Sequence, residues 1–449
     1  MNPRPRREAP PFPDRHRHAF LRLVQPRVGV MEDVGVLAQD PTAPRFEVGV
    51  TSLGNLTMTF PHVSTQLGTS VAGEPLGGAG ADLDAETAWI KAVAEGAERY
   101  CTMAHDEDDF VVASGRDLGE QALDLRTVPR CSDREYADPA CPLRPADASQ
   151  PIRWALGYSL VDGCERYVPA VMSHLYVKPR PAERFWLPIS TGVAAHTNPI
   201  RALVVAICES IERDAITLTW LLRLPLARID LTPPLDGDLE AHLSVQRHSL
   251  VQHHLFDATT DIGIPTVYAV QVRSGHPRLS QYVNCATDFD VAAACAKTMR
   301  EAAPAQVVLQ TPHPLPDRVT DFTHLQDGAV YMGRPERRRA FDFLLRGRTR
   351  RRLDEIQIAD PRDDLARLEL LVNRLRALVT DAVAVDLTTD EVRQGGLWVI
   401  RVVVPGFLPM SPVHRARFLG HPRLYRYGVQ AGRGRLTEDR INPDPQPFA

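Results

Sequence analysis

Two short segments of this 449-residue chain carry the same acidic pattern. Glu95-Gly96-Ala97-Glu98-Arg99 and Glu209-Ser210-Ile211-Glu212-Arg213 each place two glutamates three residues apart, with an arginine beside the second; Asp214 follows the second copy. On an α-helix that spacing puts both carboxylates on one face. The flanks, AWIKAVAEGAERYC and ALVVAICESIERDAITLTWLL, are largely apolar. Carboxylates on such helices are costly unless something pairs with them. If the two helices meet, four carboxylates face one volume. Oxygen ligands of this kind suit Mg²⁺, which is the usual partner of nucleotide phosphates. One ExxER alone is most often a solvated face with a salt bridge. It is the second copy, on helices too apolar to be fully exposed, that points to a divalent-cation site at Glu95, Glu98, Glu209 and Glu212.

The elements that must position these residues can be read from the flanks. Gly77-Gly78-Ala79-Gly80 is expected to be a tight turn, followed by a helix capped by Asp84 and running to about Ala104. Asn198 as N-cap with Pro199 at the first helical position starts the more apolar helix, which runs to about Leu222. RVGVMEDVGVLA and FEVGVTSLGNLTMTF read as strands from their period-two β-branched residues. WALGYSLVDG and RYVPAVMSHLYV read as a strand pair turning at Asp162-Gly163. Further strands are expected at IPTVYAVQV, SQYVNCATDF, AVAVDLT and LWVIRVVVPG. Further helices are expected from Val291 to Ala302, ending near Pro304, and from Asp363 to Thr380. The pattern is that of an α+β fold with antiparallel sheets covered by helices.

Composition narrows the class. The chain is 44% hydrophobic and 24% charged with a formal net charge of -4, an ordinary globular balance that argues against a dedicated nucleic-acid binder. Seven cysteines, odd in number and without CxxC spacing, do not form a zinc knuckle or a disulfide framework. No stretch reaches a membrane-spanning length and no secretory h-region is present, so the expectation is a cytoplasmic protein. Of 52 basic residues only Lys91, Lys178 and Lys297 are lysine. Residues 1–18, rich in Pro and Arg, are expected to be a disordered lead-in to a catalytic domain over 19–435, with a Pro-rich tail over 436–449. The Arg-dense run RPERRRAFDFLLRGRTRRRLDE is either a solvated helix and loop or a contact for an acidic peptide or RNA.

The segment GGAGADLDAETAWIKAVAEGAERY resembles the YcaO signature, a Gly-Lys-Gly turn followed by an ExxER helix. ISTGVAAHTNPIRALVVAICESIERDA resembles its second signature, a Ser-Asn/Thr-Gly turn followed by a long ExxERD helix. TMREAAPAQVVLQ, FTHLQDGAVYMGRPERRRAFDFLL, VIRVVVPGFLPM and FLGHPRLY are similar to later family segments, and Pro443-Asp444-Pro445-Gln446-Pro447 to the PxPxP tail of its peptide-cyclising members. The resemblance covers roughly Leu21 to Ala449. It implies a central nucleotide site in which Glu95, Glu98, Glu209 and Glu212 hold Mg²⁺ on ATP. Ser190, Arg213, Gly78 and Gly80 would lie near the nucleotide, and the tail, through Pro447 and the terminal carboxylate of Ala449, would reach back to the reacting groups.

What the resemblance implies is an ATP-dependent cyclodehydratase. It would convert Cys, Ser or Thr of a ribosomally made precursor peptide to thiazoline or oxazoline by phosphorylating a backbone amide oxygen, as in bacteriocin biosynthesis. The partners implied are the precursor peptide, a separate ThiF-like or leader-binding protein and a flavin-dependent azoline dehydrogenase; a homodimer is left open. The family's other chemistry, thioamide or amidine formation, and a non-catalytic scaffold are the alternatives. The departures bear on that choice. The lysine of the Gly-Lys-Gly turn is Ala79, a usual serine is Lys91, a usual glutamate is Arg201, and an arginine expected after the third helix is Gln306. Lys91 and Arg201 are new cations that could replace the lost phosphate-neutralising charges.

Overall fold

The computed structural model describes residues 17–38, 40–54, 56–63, 77–235, 237–379 and 381–448. Ala449 lies outside the described residues, as do residues 1–16 of the lead-in. Among the described residues no helix is long and apolar enough to cross a membrane.

Three sheets organise the chain. The first is antiparallel, in the order β1 (Asp33–Val36), β2 (Glu47–Ser52), β3 (Ala79–Asp82). The second has six strands: β4 (Val111–Ser114), β5 (Pro151–Ser159), β13 (Val383–Asp386), β14 (Trp398–Val403) and β7 (Val193–His196) in that order, with β6 (Cys164–Pro169) also paired to β5. The third runs β11 (Gln281–Thr287), β10 (Thr266–Val272), β9 (Gln252–Asp257), β8 (Arg228–Asp230), β12 (Arg350–Arg352); it is antiparallel except for the parallel β8–β12 edge.

The signature helices form where their caps place them. Helix α1 (Ala85–Met103) starts at Asp84, whose carboxylate accepts from the backbone N–H of Thr87 at 2.8 Å. Helix α2 (Pro199–Leu222) starts at Asn198, whose side chain accepts from the N–H of Ile200 at 2.9 Å, and ends at Arg223 in the left-handed conformation. At 24 residues α2 is about 36 Å long and is buried on several sides, as its nearly continuous apolar sequence requires. Ala202, Ile207 and Ile211 join a core with Ile400 and Val402 of β14. Ile216 and Trp220 pack on Tyr268 and Val270 of β10. The opposite faces of β10 and β11, with Val267, Ala269 and Ala286, pack on helix α3 (Val291–Gln310). Every residue of β10 and β11 is buried, the pattern of a strand covered on both sides.

Two local expectations are corrected. Helix α3 does not stop near Pro304; it continues to Gln310 with Pro304 inside it. Ala302, Ala303, Gln306 and Leu309 are all buried along this stretch, so packing holds the helix through the missing N–H. Ala79 and Gly80 are not a turn but the first residues of β3, paired to Val50 and Gly49. Strand β3 lies directly against α1. A Cβ on Gly78 would stand 2.3 Å from the carbonyl oxygen of Ala92, and one on Gly80 2.3 Å from that of Ala88. The two glycines therefore serve close backbone approach. The remaining helices used below are α4 (Leu325–Gly333), α5 (Asp364–Leu378) and α6 (Pro422–Gln430).

Candidate nucleotide and metal site

The glutamates of α1 and α2 come together, and each is held by a backbone N–H from the end of a strand. Glu95 accepts from Ala79 at the start of β3, at 2.7 Å. Glu98 accepts from Ala195 of β7 at 2.7 Å, and Glu209 from Gly192, just before β7, at 3.0 Å. Glu212 accepts from Thr287, the last residue of β11, at 3.2 Å. All three sheets thus contribute to one acidic centre. Gly192 has φ +78° and would place a Cβ 2.4 Å from the Val402 carbonyl oxygen, so the turn of the second signature needs glycine there.

The carboxylates sense one another across the two helices. Burial raises the Glu98 carboxyl well above its ordinary range, and repulsion from Glu209 and Glu95 adds to this against the Ala195 hydrogen bond. Burial also raises Glu212; Lys297 and Arg213 oppose the rise, and Glu301 and Glu209 add to it. The cations are fewer than the carboxylates. Arg99 pairs with Glu95 at 2.8 Å, Arg213 with Glu209 at 3.1 Å and Glu212 at 3.0 Å, and Lys297 lies 3.6 Å from Glu212 and 3.8 Å from Glu301. Among the described residues no cationic side chain is within ion-pair distance of Glu98.

This arrangement fits Mg²⁺ carried on a nucleotide. Among the described residues no group of three His, Cys, Asp or Glu side chains converges as a cage of metal ligands. Mg²⁺ on a nucleotide does not need one: it takes one or two carboxylates and completes its shell with phosphate oxygens and water. The excess negative charge and the raised Glu98 carboxyl are what a divalent cation would relieve.

The other expected residues fall in different places. Ser190 is exposed in the turn leading to Gly192. Lys91 is paired with Asp82 and also donates to the carbonyl of Ala81 at 3.3 Å; burial lowers its pKa, and nearby Arg300 adds to this. Arg201 pairs with Asp364 of α5 at 3.0 Å and lines an open cavity with His196, Asn198 and Arg362. It sits about 12 Å along α2 from Glu209. Both new cations are therefore already matched by aspartates. Gln306 is buried, with an unpartnered amide nitrogen.

The tail runs along α2 towards the acidic centre. Asn442 donates to the carbonyls of Leu221 (2.9 Å) and Trp220 (3.0 Å), and Trp220 donates its indole N–H to the carbonyl of Asp444 at 3.1 Å. Gly328 of α4 lies so close to the Gln446 carbonyl that a Cβ there would stand 2.1 Å away. Pro447 is buried, and the Phe448 ring lies 5.0 Å from the Arg213 guanidinium, which also pairs with Glu209 and Glu212.

Sequence reasoning missed Lys297, Glu301 and Arg401. Lys297 carried a signal, for it is one of three lysines in an arginine-rich chain. Arg401 sits in an apolar strand and offered none.

Comparison with known proteins agrees with this geometry. The family model for YcaO cyclodehydratase, described as ATP- and Mg²⁺-binding, matches residues 78–408. A Rhizobium leguminosarum bv. trifolii protein described as uncharacterized, in the tfuA 3' region, is 32% identical over 201 residues, 42% of this chain and 44% of its own length. A heterocyclase solved in complex with substrate and cofactor superposes with a TM-score of 0.77 at 21% identity, over 96% of this chain and 56% of that one. YcaO from Methanopyrus kandleri, bound with AMPPCP and Mg²⁺, superposes with a TM-score of 0.60 at 16% identity, over 88% of this chain and 89% of that one. The chain thus spans about half the length of the heterocyclase and of the Rhizobium relative.

Proposed function

Because the chain belongs to the YcaO family, we propose that it is an ATP-dependent cyclodehydratase acting on Cys, Ser or Thr of a ribosomally made precursor peptide. The observation that carries this reading is that Glu98 of α1 and Glu209 of α2, 111 residues apart in sequence, accept hydrogen bonds from Ala195 and Gly192 of one short segment. Glu95, Glu98, Glu209 and Glu212 would hold the Mg²⁺. Bound there, Mg²⁺-ATP supplies the phosphoryl group that makes a backbone amide oxygen a leaving group. The chain's own residues do the rest. Arg213 and Lys297 limit repulsion among the carboxylates while leaving a net negative charge for the cation. The N–H groups of Ala79, Gly192, Ala195 and Thr287 fix the carboxylate orientations before ligand arrives. The tail sets the Phe448 ring against the Arg213 guanidinium and shields it from water on that side.

A ThiF-like or similar leader-binding protein is the proposed partner that recruits the precursor. A flavin-dependent dehydrogenase would act on the azoline product. One observation favours a second reading, a scaffold that binds without turnover. Ala79 and Gln306 stand where phosphate-neutralising cations are expected, and Lys91 and Arg201 are engaged by Asp82 and Asp364. The test is to incubate the protein with Mg²⁺, ATP, its partner and the precursor and to weigh the peptide. Loss of one water per modified residue, absent in Glu95→Gln and Glu212→Gln, supports the cyclodehydratase. ATP binding without a mass change selects the scaffold.

A further inference from the structure

Beside the carboxylate cluster lies a smaller cavity of a different character. It is bounded by Trp186, Thr191, Arg213, Arg401, Phe407 and Leu408, among others, and no carboxylate lines it. Its volume is about 40 Å³. That is room for about three water-sized groups, the scale of one small polyatomic ion and far below a nucleotide.

Four of its lining residues bring buried polar atoms without a hydrogen-bond partner: Trp186 Nε1, Thr191 Oγ1, Arg401 Nε and Arg213 Nη1, the last of which lies in an ion pair with Glu212. The indole and guanidinium nitrogens can only donate, and the threonine hydroxyl can donate. Trp186 and Arg401 are 9% and 2% exposed. The Nη groups of Arg401 donate to the carbonyls of Ser173 at 3.3 Å and Ile189 at 2.5 Å. These bonds position the guanidinium but do not neutralise it. Among the described residues Arg401 has no carboxylate within ion-pair distance, whereas Arg213 is matched by Glu209 and Glu212. Burial pushes the Arg401 pKa down to about 10, with Glu209 opposing the shift, so the residue stays charged at neutral pH. A buried, unpaired cation beside unsatisfied donors, in a wall that holds a second arginine and no carboxylate, calls for an anion with several acceptor oxygens.

We propose that this cavity is a binding site for a single inorganic phosphate ion, held by Arg401, Thr191 and Trp186 and separate from the carboxylates that would carry Mg²⁺. The assignment rests on the proposed function only for the source of the ion, because amide activation by ATP would release phosphate beside α2. Binding itself needs neither nucleotide nor peptide.

The test is calorimetric titration of the full chain with inorganic phosphate in EDTA, without nucleotide. Saturable binding at one site is expected. Arg401→Met should weaken it at least tenfold. Thr191→Val, which removes the hydroxyl and keeps the side-chain shape, should weaken it about threefold and decide the matter if Arg401→Met does not fold; Trp186→Phe, which removes the indole donor together with part of the core packing, should weaken it about as much. Absence of saturable binding to the wild-type chain would overturn the proposal. So would binding that requires Mg²⁺ and is lost in Glu95→Gln but kept in Thr191→Val and Trp186→Phe, since that anion would sit on the carboxylate-bound metal. Phosphate binding that survives in a chain unable to cyclise a peptide would refute the cyclodehydratase reading and leave this site standing.

Discussion

Glu212 and Asp214 are two residues apart on α2, both buried, and they serve opposite ends. Asp214 is fully matched. The Arg423 guanidinium of α6 holds it bidentately, with Nε at 2.7 Å and Nη2 at 2.6 Å, the N–H of Leu408 donates to it at 2.9 Å, and the same guanidinium holds Asp261 at 2.8 Å. Glu212 belongs instead to a group of carboxylates with too few cations. Buried charge that is saturated by fixed partners ties elements together; buried charge left in excess costs stability and waits for a ligand. The same helix carries both kinds, so its position is set by one and read out by the other.

The largest expected effect breaks the matched side. Arg423→Met strands Asp214 in the core and should lower unfolding free energy in urea by about 3–5 kcal/mol. A loss below about 1 kcal/mol would show that the two regions do not differ as argued.

Next, Glu98→Gln should stabilise the metal-free protein by on the order of 1–2 kcal/mol near pH 8, while abolishing Mg²⁺-ATP binding. Gln can still accept from Ala195. The folded pKa of Glu98 lies above its unfolded value. The contribution of this group to stability is therefore complete below the unfolded pKa and is lost as pH rises towards the folded one. The gain from Glu98→Gln should accordingly shrink at pH 4. Thermal melts at both pH values check this, and equal gains would sink it.

The same carboxyls must lose protons when a cation binds. Mg²⁺-ATP affinity should therefore rise with pH until Glu98 and Glu212 are ionised, with proton release visible in calorimetry run in two buffers of different ionisation enthalpy. The smallest effect is expected at Arg201, which is paired with Asp364. Arg201→Ala should change stability by about 0.5 kcal/mol or less and nucleotide affinity less than threefold. A tenfold loss of affinity would restore Arg201 as a substitute phosphate contact.

The caps and periodicity of α1 and α2 were legible because Asp84, Asn198 and Pro199 act locally, within one turn of the helices they start. The meeting of Glu95, Glu98, Glu209 and Glu212 was legible because carboxylates on helices this apolar are tolerated only where cations can face them. What sequence could not show were consequences of contact. Pro304 reads as a stop, yet buried Gln306 and Leu309 carry α3 past it. Lys91 and Arg201 read as free cations because their aspartates lie nine and 163 residues away. Arg401 is one charged residue in an apolar strand, and its neighbours Thr191 and Trp186 come from a distant part of the chain.

Each acidic side chain of the centre also acts as a clamp on the end of a sheet: Glu95 on β3, Glu98 and Glu209 on β7, Glu212 on β11. The centre is therefore a mechanical hub at which three separately hydrogen-bonded layers are pinned. A cation that draws on those oxygens must either share them with the clamps or loosen them. Occupancy would then be felt along all three layers at once, as a change in amide hydrogen exchange at Ala79, Ala195 and Thr287, residues that belong to different sheets and have no strand in common.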